Sequence, residues 1–351
     1  MSKIRNIFRG KQKPVTLKPG TDKRQAAGKR EVPDGLWDKC PQCKTMIFRK
    51  DLQRAHYVCS KCGYHLSVGA RERLRQLVDN IERFEEFDAK LTVENPIGFP
   101  EYEAKKERDE KKTHENEAVI TGKATINQHA VVLAIMEFGF ISGSMGSAVG
   151  EKITRAFERA IAEGLPVVTV SSSGGARMQE GIISLMQMQK TAAAVERHSR
   201  AGLLYISVLV HPTTAGVYGS FASQGDIVIS EPGATVGFAG KAVIEAAVGR
   251  RIPPDLQQAE TVFKNGFIDV IVHRSELRTT IGKLLQLHNT PVLPEAEINV
   301  PTEDEGNAEE PVVAEPTPAE AVQTDADPTP VTKPKKRSTR TSRSYLRRKQ
   351  D

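Results

Sequence analysis

Four cysteines in two short pairs constrain this 351-residue chain more than any other feature. Cys40 and Cys43 form one C-x2-C step, Cys59 and Cys62 form a second, and fifteen residues lie between them. That is the spacing of a four-thiolate zinc ribbon, in which each step lets two thiolates converge on one ion at about 2.3 Å per Zn–S bond. Two disulfides are a rival reading, and a thioredoxin-like redox motif is another, although the pairs are not set in a βαβ unit. The basic N-terminus lacks the apolar stretch and cleavage site of a secretory signal, so a cytoplasmic, reducing compartment is expected, where structural disulfides are rare. Four thiolates close the coordination shell, so the expectation is one structural zinc per chain and no catalytic metal.

The formal charge of +6 is distributed in blocks. Residues 1–30 carry ten Lys or Arg against Asp22 alone, 295–330 carry eleven acids and no base, and 331–351 carry nine bases against Asp351. Residues 31–294 are balanced, with thirty-one of each sign, which argues against one broad basic surface. The arm 1–30 and the acidic-then-basic tail 295–351 have the composition of disordered segments. The longest apolar run, 130–141, is interrupted by Glu137 and Gly139 and is too short to span a bilayer.

Between the tails, 36–68 is the ribbon and 69–290 a larger domain. The apolar residues Leu74, Leu77, Val78, Ile81, Phe84 and Phe87 recur at helical spacing, predicting an amphipathic helix over 71–87. Residues 105–117 are almost wholly charged and read as a solvated loop or helix face. Strands are expected at 118–126, 130–138, 167–170, 203–210 and 226–230, and helices at 151–163 and 178–200. The alternation gives a layered α/β fold.

Two strands run into glycine-rich loops, SSSGGARMQE at 171–180 and HPTTAGVYGSFAS at 211–223. Each could aim backbone N–H groups at an anionic oxygen, because glycine permits close approach and a helix N-terminus adds partial positive charge. Tight strand–helix packing is the plain alternative. There is no G-x4-G-K-[ST] loop for ATP, no G-x-G-x-x-G dinucleotide fingerprint and no G-x-S-x-G elbow. The eight histidines are scattered, and none stands out as a catalytic base. Met178, Leu185, Met186 and Met188 read as core or subunit-interface packing.

Taken in order, LWDKCPQC, FGFISGSMGSAVGEK at 138–152, SSSGGARMQE, LMQMQKT at 185–191, YISVLVHPTT at 205–214 and GDIVISEPGATVGFAG at 225–240 closely resemble the carboxyltransferase β subunits of bacterial and plastid acetyl-CoA carboxylases. The resemblance covers about 35 to 288 and neither tail. It implies a crotonase-like fold of repeated β-β-α units over 69–290 and transfer of a carboxyl group from carboxybiotin, carried on a separate protein, to acetyl-CoA, giving malonyl-CoA for fatty acid biosynthesis. The implied partners are a carboxyltransferase α subunit in an α2β2 heterotetramer, a biotin carboxyl carrier protein and biotin carboxylase. By the same analogy Ala215 and Gly216 supply backbone donors to the thioester oxygen, with Gly174 and Gly175 shaping the adjacent pocket, and departing biotin takes the proton. The chain departs from the family pattern at His211, Ala215 and Lys241–Ala242. No residue is assigned to the CoA phosphates. Two other functions fit parts of the chain: a ribbon that binds nucleic acid through its basic surroundings, and a crotonase-like hydrolase or isomerase acting alone on acyl-CoA.

Overall fold

The computed structural model describes residues 36–290. The basic arm 1–30 and the tail 295–351 lie outside them. The elements, in chain order, are β1 (Trp37–Lys39), β2 (Met46–Phe48), α1 (Arg49–Arg54), α2 (Ala70–Leu77), β3 (Glu85–Phe87), α3 (Tyr102–Thr113), β4 (Val119–Ile126) and β5 (His129–Met136). They continue with α4 (Ser147–Glu163), β6 (Val167–Ser173), α5 (Ile182–Arg200), β7 (Tyr205–Thr214), α6 (Ala215–Val217), β8 (Ile227–Ser230) and β9 (Val236–Gly237). The last four are α7 (Lys241–Val248), α8 (Ala259–Lys264), β10 (Val270–Ile271) and α9 (Leu277–Leu287).

One sheet carries the larger domain, in the order β10-β8-β7-β6-β5-β4-β3, with β9 added on β7. β3, β4 and β5 pair antiparallel, whereas β5, β6, β7, β8 and β10 pair parallel. β5 is buried along its whole length and its side chains alternate between two cores. Ala130, Val132, Ala134 and Met136 join one core with Ile153, Phe157 and Ala194 of α4 and α5. Val131, Leu133 and Ile135 join the other with Leu74 and Leu77 of α2 and Ile281 and Leu285 of α9. Strands covered on both faces read as continuous apolar runs, which is how the β5 sequence reads. α4 follows its predicted pattern: Ile153 and Phe157 are fully buried, each worth about 1.5–3 kcal/mol, and Gly164 closes the helix in the left-handed region at φ +65°.

Several expectations need correction. The helix expected at 71–87 ends at Leu77. Asp79 then accepts the amides of Asn127 and Gln128 at 2.9 and 2.8 Å, and Asn80 caps a short turn by accepting Glu82 N at 2.8 Å. These side-chain bonds compete with helix propagation, so Phe84 and Phe87 pack from a turn and from β3 although their spacing was helical. The helix expected at 178–200 starts at Ile182, after a 3-10 turn over Met178–Glu180 and a break at Gly181, φ +54°. β6 and β7 extend to Ser173 and Thr214, so SSS and HPTT belong to strands. The charged stretch 105–117 is not uniformly solvated: most of it lies in α3 or just beyond, and Asp109, Glu115 and Glu117 are buried.

Candidate active site and zinc centre

The two cysteine steps fold as matching turns. Cys40 N donates to Thr45 O and Lys44 N to Cys40 O, at 2.9 and 3.0 Å; Cys59 N donates to Tyr64 O and Gly63 N to Cys59 O, at 2.9 and 2.8 Å. Lys44 and Gly63 both take positive φ to close these turns, at +60° and +70°. The four Sγ atoms lie within 4.8 Å of one another, with Cys40–Cys62 and Cys43–Cys59 each at 3.7 Å. A tetrahedron of 2.3 Å Zn–S bonds has edges of about 3.8 Å, so the donor set fits zinc. Hydrogen bonding with Thr45, by its side chain and then its backbone, lowers the Cys43 thiol to about 6, while Cys62, against the lowering bond from the Tyr64 backbone, is pushed up to about 12 by burial and the neighbouring thiols.

The ribbon docks through a buried charge cluster at the end of β8. Glu231 accepts from Arg73 Nη1 and from Arg274 Nε, both at 2.7 Å, and lies 3.3 Å from His65 Nδ1. Arg274 Nη1 also faces the ribbon carbonyls of His56, Tyr57 and Leu66 at 3.2, 3.3 and 2.8 Å. Burial alone would raise the Glu231 carboxyl; the charges of Arg73 and Arg274, with the Arg274 bonds and the nearby His65 ring, hold it well below the usual carboxylate range.

The glycine-rich loops leave the C-terminal ends of β6 and β7, which are parallel neighbours. Their register runs from Val167↔Tyr205 to Ser171↔Leu209 and then shifts to Ser173↔Thr213, so extra β7 residues bulge at His211–Pro212. The hydroxyls of SSS and TT hold the strand ends together. Thr213 Oγ1 lies 2.5 Å from Ser171 O, Thr214 Oγ1 donates to Ser173 O at 3.1 Å, Ser172 Oγ to His211 O at 3.3 Å, and Ser173 Oγ to Gly143 O at 2.6 Å. Ser172, Ser173, Thr213 and Thr214 thus each engage a backbone carbonyl, the Ser171 hydroxyl is buried without a hydrogen-bond partner among the described residues, and none of the five is paired there with a base as a nucleophile would be.

The structure brings Gly175 against Ala215 and Gly216, while Gly174 before it faces Ser142. A β-carbon on Gly175 would stand 2.5 Å from the Ala215 methyl and 3.1 Å from Gly216 N; one on Gly216 would meet Ala176 at 3.2 Å and Met188 Sδ at 3.1 Å. Ala215 itself has φ +52°, where a β-carbon is disfavoured. Gly174 N donates to Ser142 O at 3.0 Å and Gly175 N to Ser173 Oγ at 2.9 Å. Those two amides are satisfied inside the chain, so neither is a free donor, and the pocket-shaping role expected of Gly174 and Gly175 does not call for one. The side chains of Lys241 and Ala242 lie outside the described part.

Beneath the loop is an ion network that the sequence reading missed. Arg177 is fully buried and forks onto Glu117 at 2.6 and 2.7 Å, while also donating to Ser144 O at 2.9 Å and Tyr102 Oη at 3.0 Å. Glu180 accepts from the Tyr102 hydroxyl at 2.8 Å and from Ser147 N at 2.6 Å, at the start of α4. Burial would lower the Arg177 guanidinium, but the Glu117 charge and bonds raise it above its usual value. A buried pair this well bonded specifies one loop position. The one clue in sequence was charge inside a glycine-rich motif, Arg177 with Glu180 in GGARMQE; Glu117 stood at the end of a charged stretch and gave none.

Met178, Leu185 and Met186 are exposed, at 74%, 51% and 62%, as is Ile182. They are therefore not core. Met188 is half-buried against Gly216 and the core. Among the described residues no helix is long and apolar enough to cross a membrane.

Residues 71–331 match the family model of the carboxyl transferase domain, and 37–62 match that of the acetyl-CoA carboxylase zinc finger domain. The chain is 49% identical over 288 residues to the acetyl-coenzyme A carboxylase carboxyl transferase subunit beta of Desulforamulus reducens, covering 82% of this chain and 99% of that protein. It is 50% identical over 278 residues to the protein of the same name from Desulforudis audaxviator, covering 79% and 98%. Among solved structures it superposes on transcarboxylase 12S with a TM-score of 0.56 at 26% identity, over 67% of this chain and 42% of that longer one. The α/β architecture is thus the crotonase-like carboxyltransferase fold preceded by a four-cysteine zinc ribbon. The chain belongs to the carboxyl transferase family, in its branch of acetyl-CoA carboxylase carboxyl transferase β subunits.

Proposed function

We propose that this chain is the acyl-CoA half of a biotin-dependent carboxyltransferase, moving a carboxyl group from carboxybiotin on a carrier protein to acetyl-CoA and so making malonyl-CoA for fatty acid synthesis in the cytoplasm. The observation that carries the reading is the meeting of two glycine loops at the ends of adjacent parallel strands, Gly175 against Ala215 and Gly216. In the reaction the acetyl methyl group loses a proton and gains a carbon–carbon bond to the carboxyl carbon. The carbon–nitrogen bond to biotin breaks, and that ureido nitrogen ends with the proton. Negative charge gathers on the thioester oxygen, and backbone donors at Ala215 and Gly216 offset it, each such donor being worth roughly 3–4 kcal/mol.

The hydroxyls favour this reading over an unaided hydrolase, because Ser172, Ser173, Thr213 and Thr214 act as staples on backbone carbonyls and Ser171, buried without a partner among the described residues, has no base beside it. An α subunit completes the site by meeting the oxygen that becomes negative on departing biotin. The exposed apolar side chains of Met178, Ile182, Leu185 and Met186, which follow the Gly174–Gly175 loop in the chain, suit contact with such a partner. A relative from Natranaerobius thermophilus is named for subunits beta and alpha together, and this chain spans 44% of it at 47% identity. The assembly is an α2β2 heterotetramer, with biotin carboxylase charging the carrier; zinc is structural.

The test is malonyl-CoA formation from acetyl-CoA and carboxylated carrier, with and without the α subunit. Activity is expected only in the complex. Malonyl-CoA made by the purified single chain, or acetyl-CoA hydrolysis with no carboxylation in the complex, would contradict the reading.

A further inference from the structure

Glu231 stands between two parts of the molecule that the proposed chemistry does not otherwise connect. Towards the ribbon, its carboxylate holds Arg274, whose Nη1 faces three ribbon carbonyls, those of His56 and Tyr57 just before Cys59 and that of Leu66 after Cys62. Leu66 N in turn donates to Tyr57 O at 3.0 Å, so the arginine grips the two chain segments that enter and leave the second cysteine turn. Towards the Ala215 loop, Glu231 N donates to Leu209 O at 3.1 Å, and Glu231 O accepts Ala234 N at 3.3 Å. The next residue, Thr235, accepts Thr213 N at 2.8 Å, and Thr213 lies two positions before Ala215. Glu231, Arg274, Arg73, Ala234 and Thr213 are buried, while the ribbon residues His56, Tyr57 and Leu66 and Thr235 of the turn are half-buried.

We propose that Arg274 and Glu231 are positioning residues that couple zinc retention in the ribbon to acetyl-CoA binding at the Ala215 loop, a proposal that rests on the acetyl-CoA reading above. A metal-organised ribbon presents its three carbonyls to Arg274 in register, which fixes Glu231 and the 231–235 turn and thereby the end of β7. Losing the metal frees those carbonyls and leaves Arg274 and Glu231 without a rigid partner on one side. Because coupling between two binding events is reciprocal, acetyl-CoA must then hold zinc as firmly as zinc helps hold acetyl-CoA.

The experiment uses the zinc-loaded complex of the full chain with its α subunit. Zinc release to a chromogenic chelator is timed with and without saturating acetyl-CoA, and malonyl-CoA formation is assayed on the same preparation. In the unaltered complex acetyl-CoA is expected to slow release. Arg274→Met should release zinc on the order of tenfold faster, as loss of supporting bonds around metal ligands does, and its release should no longer respond to acetyl-CoA. Arg274→Lys retains a charge for Glu231 but not the three-carbonyl fork, and should recover thermal stability without recovering the response. Should the methionine variant fail to fold, the response of the unaltered complex still decides the matter. Release that ignores acetyl-CoA while malonyl-CoA is being made overturns the coupling and leaves the proposed function standing. No acetyl-CoA binding and no malonyl-CoA overturns both.

Discussion

The methyl group of Ala215 occupies the place where a side chain on Gly175 would begin, 2.5 Å from the ideal β-carbon. Both residues take positive φ, +52° for Ala215 and +116° for Gly175, so the two loops approach each other through conformations that only glycine adopts freely. The alanine keeps a backbone N–H at this point while its methyl group adds steric load.

Ala215→Gly should therefore raise the unfolding free energy by about 1 kcal/mol, since relief of left-handed strain exceeds the added unfolded-state entropy. Gly175→Ala should cost about 1–3 kcal/mol by overpacking. In the double variant part of that cost should return, because one of the two colliding methyl groups is gone. Denaturant titration of all four proteins measures the interaction, and strict additivity would contradict the contact.

Gly216 separates a steric effect from an electrostatic one. Gly216→Ala keeps the N–H but crowds Ala176 and Met188 at 3.1–3.2 Å, whereas Gly216→Pro removes the N–H outright. If that amide stabilises the enolate oxygen, the proline variant should turn over on the order of a hundredfold more slowly than the alanine variant, at comparable acetyl-CoA affinity. Equal rates in two folded complexes would remove Gly216 from the donor set.

Glu117→Gln leaves the fully buried Arg177 short of its main counter-charge. Breaking a buried pair from one side costs about 3–5 kcal/mol, and here the cost falls on the loop that carries Gly174 and Gly175. We expect both a lower melting temperature and a loss of kcat that persists at temperatures where the variant is folded. A variant as stable as the parent would show that the pair is not the clamp described.

The Glu231 cluster predicts an acid limb. Its carboxyl sits below its unfolded value of about 4.3, so its contribution is fully present above that pH and is lost as pH falls through the lower folded value. Glu231→Gln should be less stable than the parent at pH 7 by about 3–5 kcal/mol, and the gap should narrow below about pH 4. Unfolding curves for the two proteins between pH 7 and pH 3 provide the check; a constant gap would mean that the charge is not what stabilises the cluster.

What the sequence determined by itself was local. Cysteine spacing specifies a tetrahedral site because the geometry of a C-x2-C turn is set within a few residues, and the run at 130–136 reads as a strand because burial on both faces leaves no polar position. The motif resemblance likewise led to Gly174, Gly175, Ala215 and Gly216, of which the fold brings Gly175 against Ala215 and Gly216. Tertiary structure decided the rest. The helical spacing of Phe84 and Phe87 was overridden by Asp79 and Asn80, whose partners include residues almost fifty positions away. Which glycine amides are already bonded depends on Ser142 and Ser173, and whether Glu117 is solvated depends on an arginine sixty residues later. Charge and hydrogen bonding act over distances in space, and a periodic pattern along one chain does not contain those distances until the strands have paired.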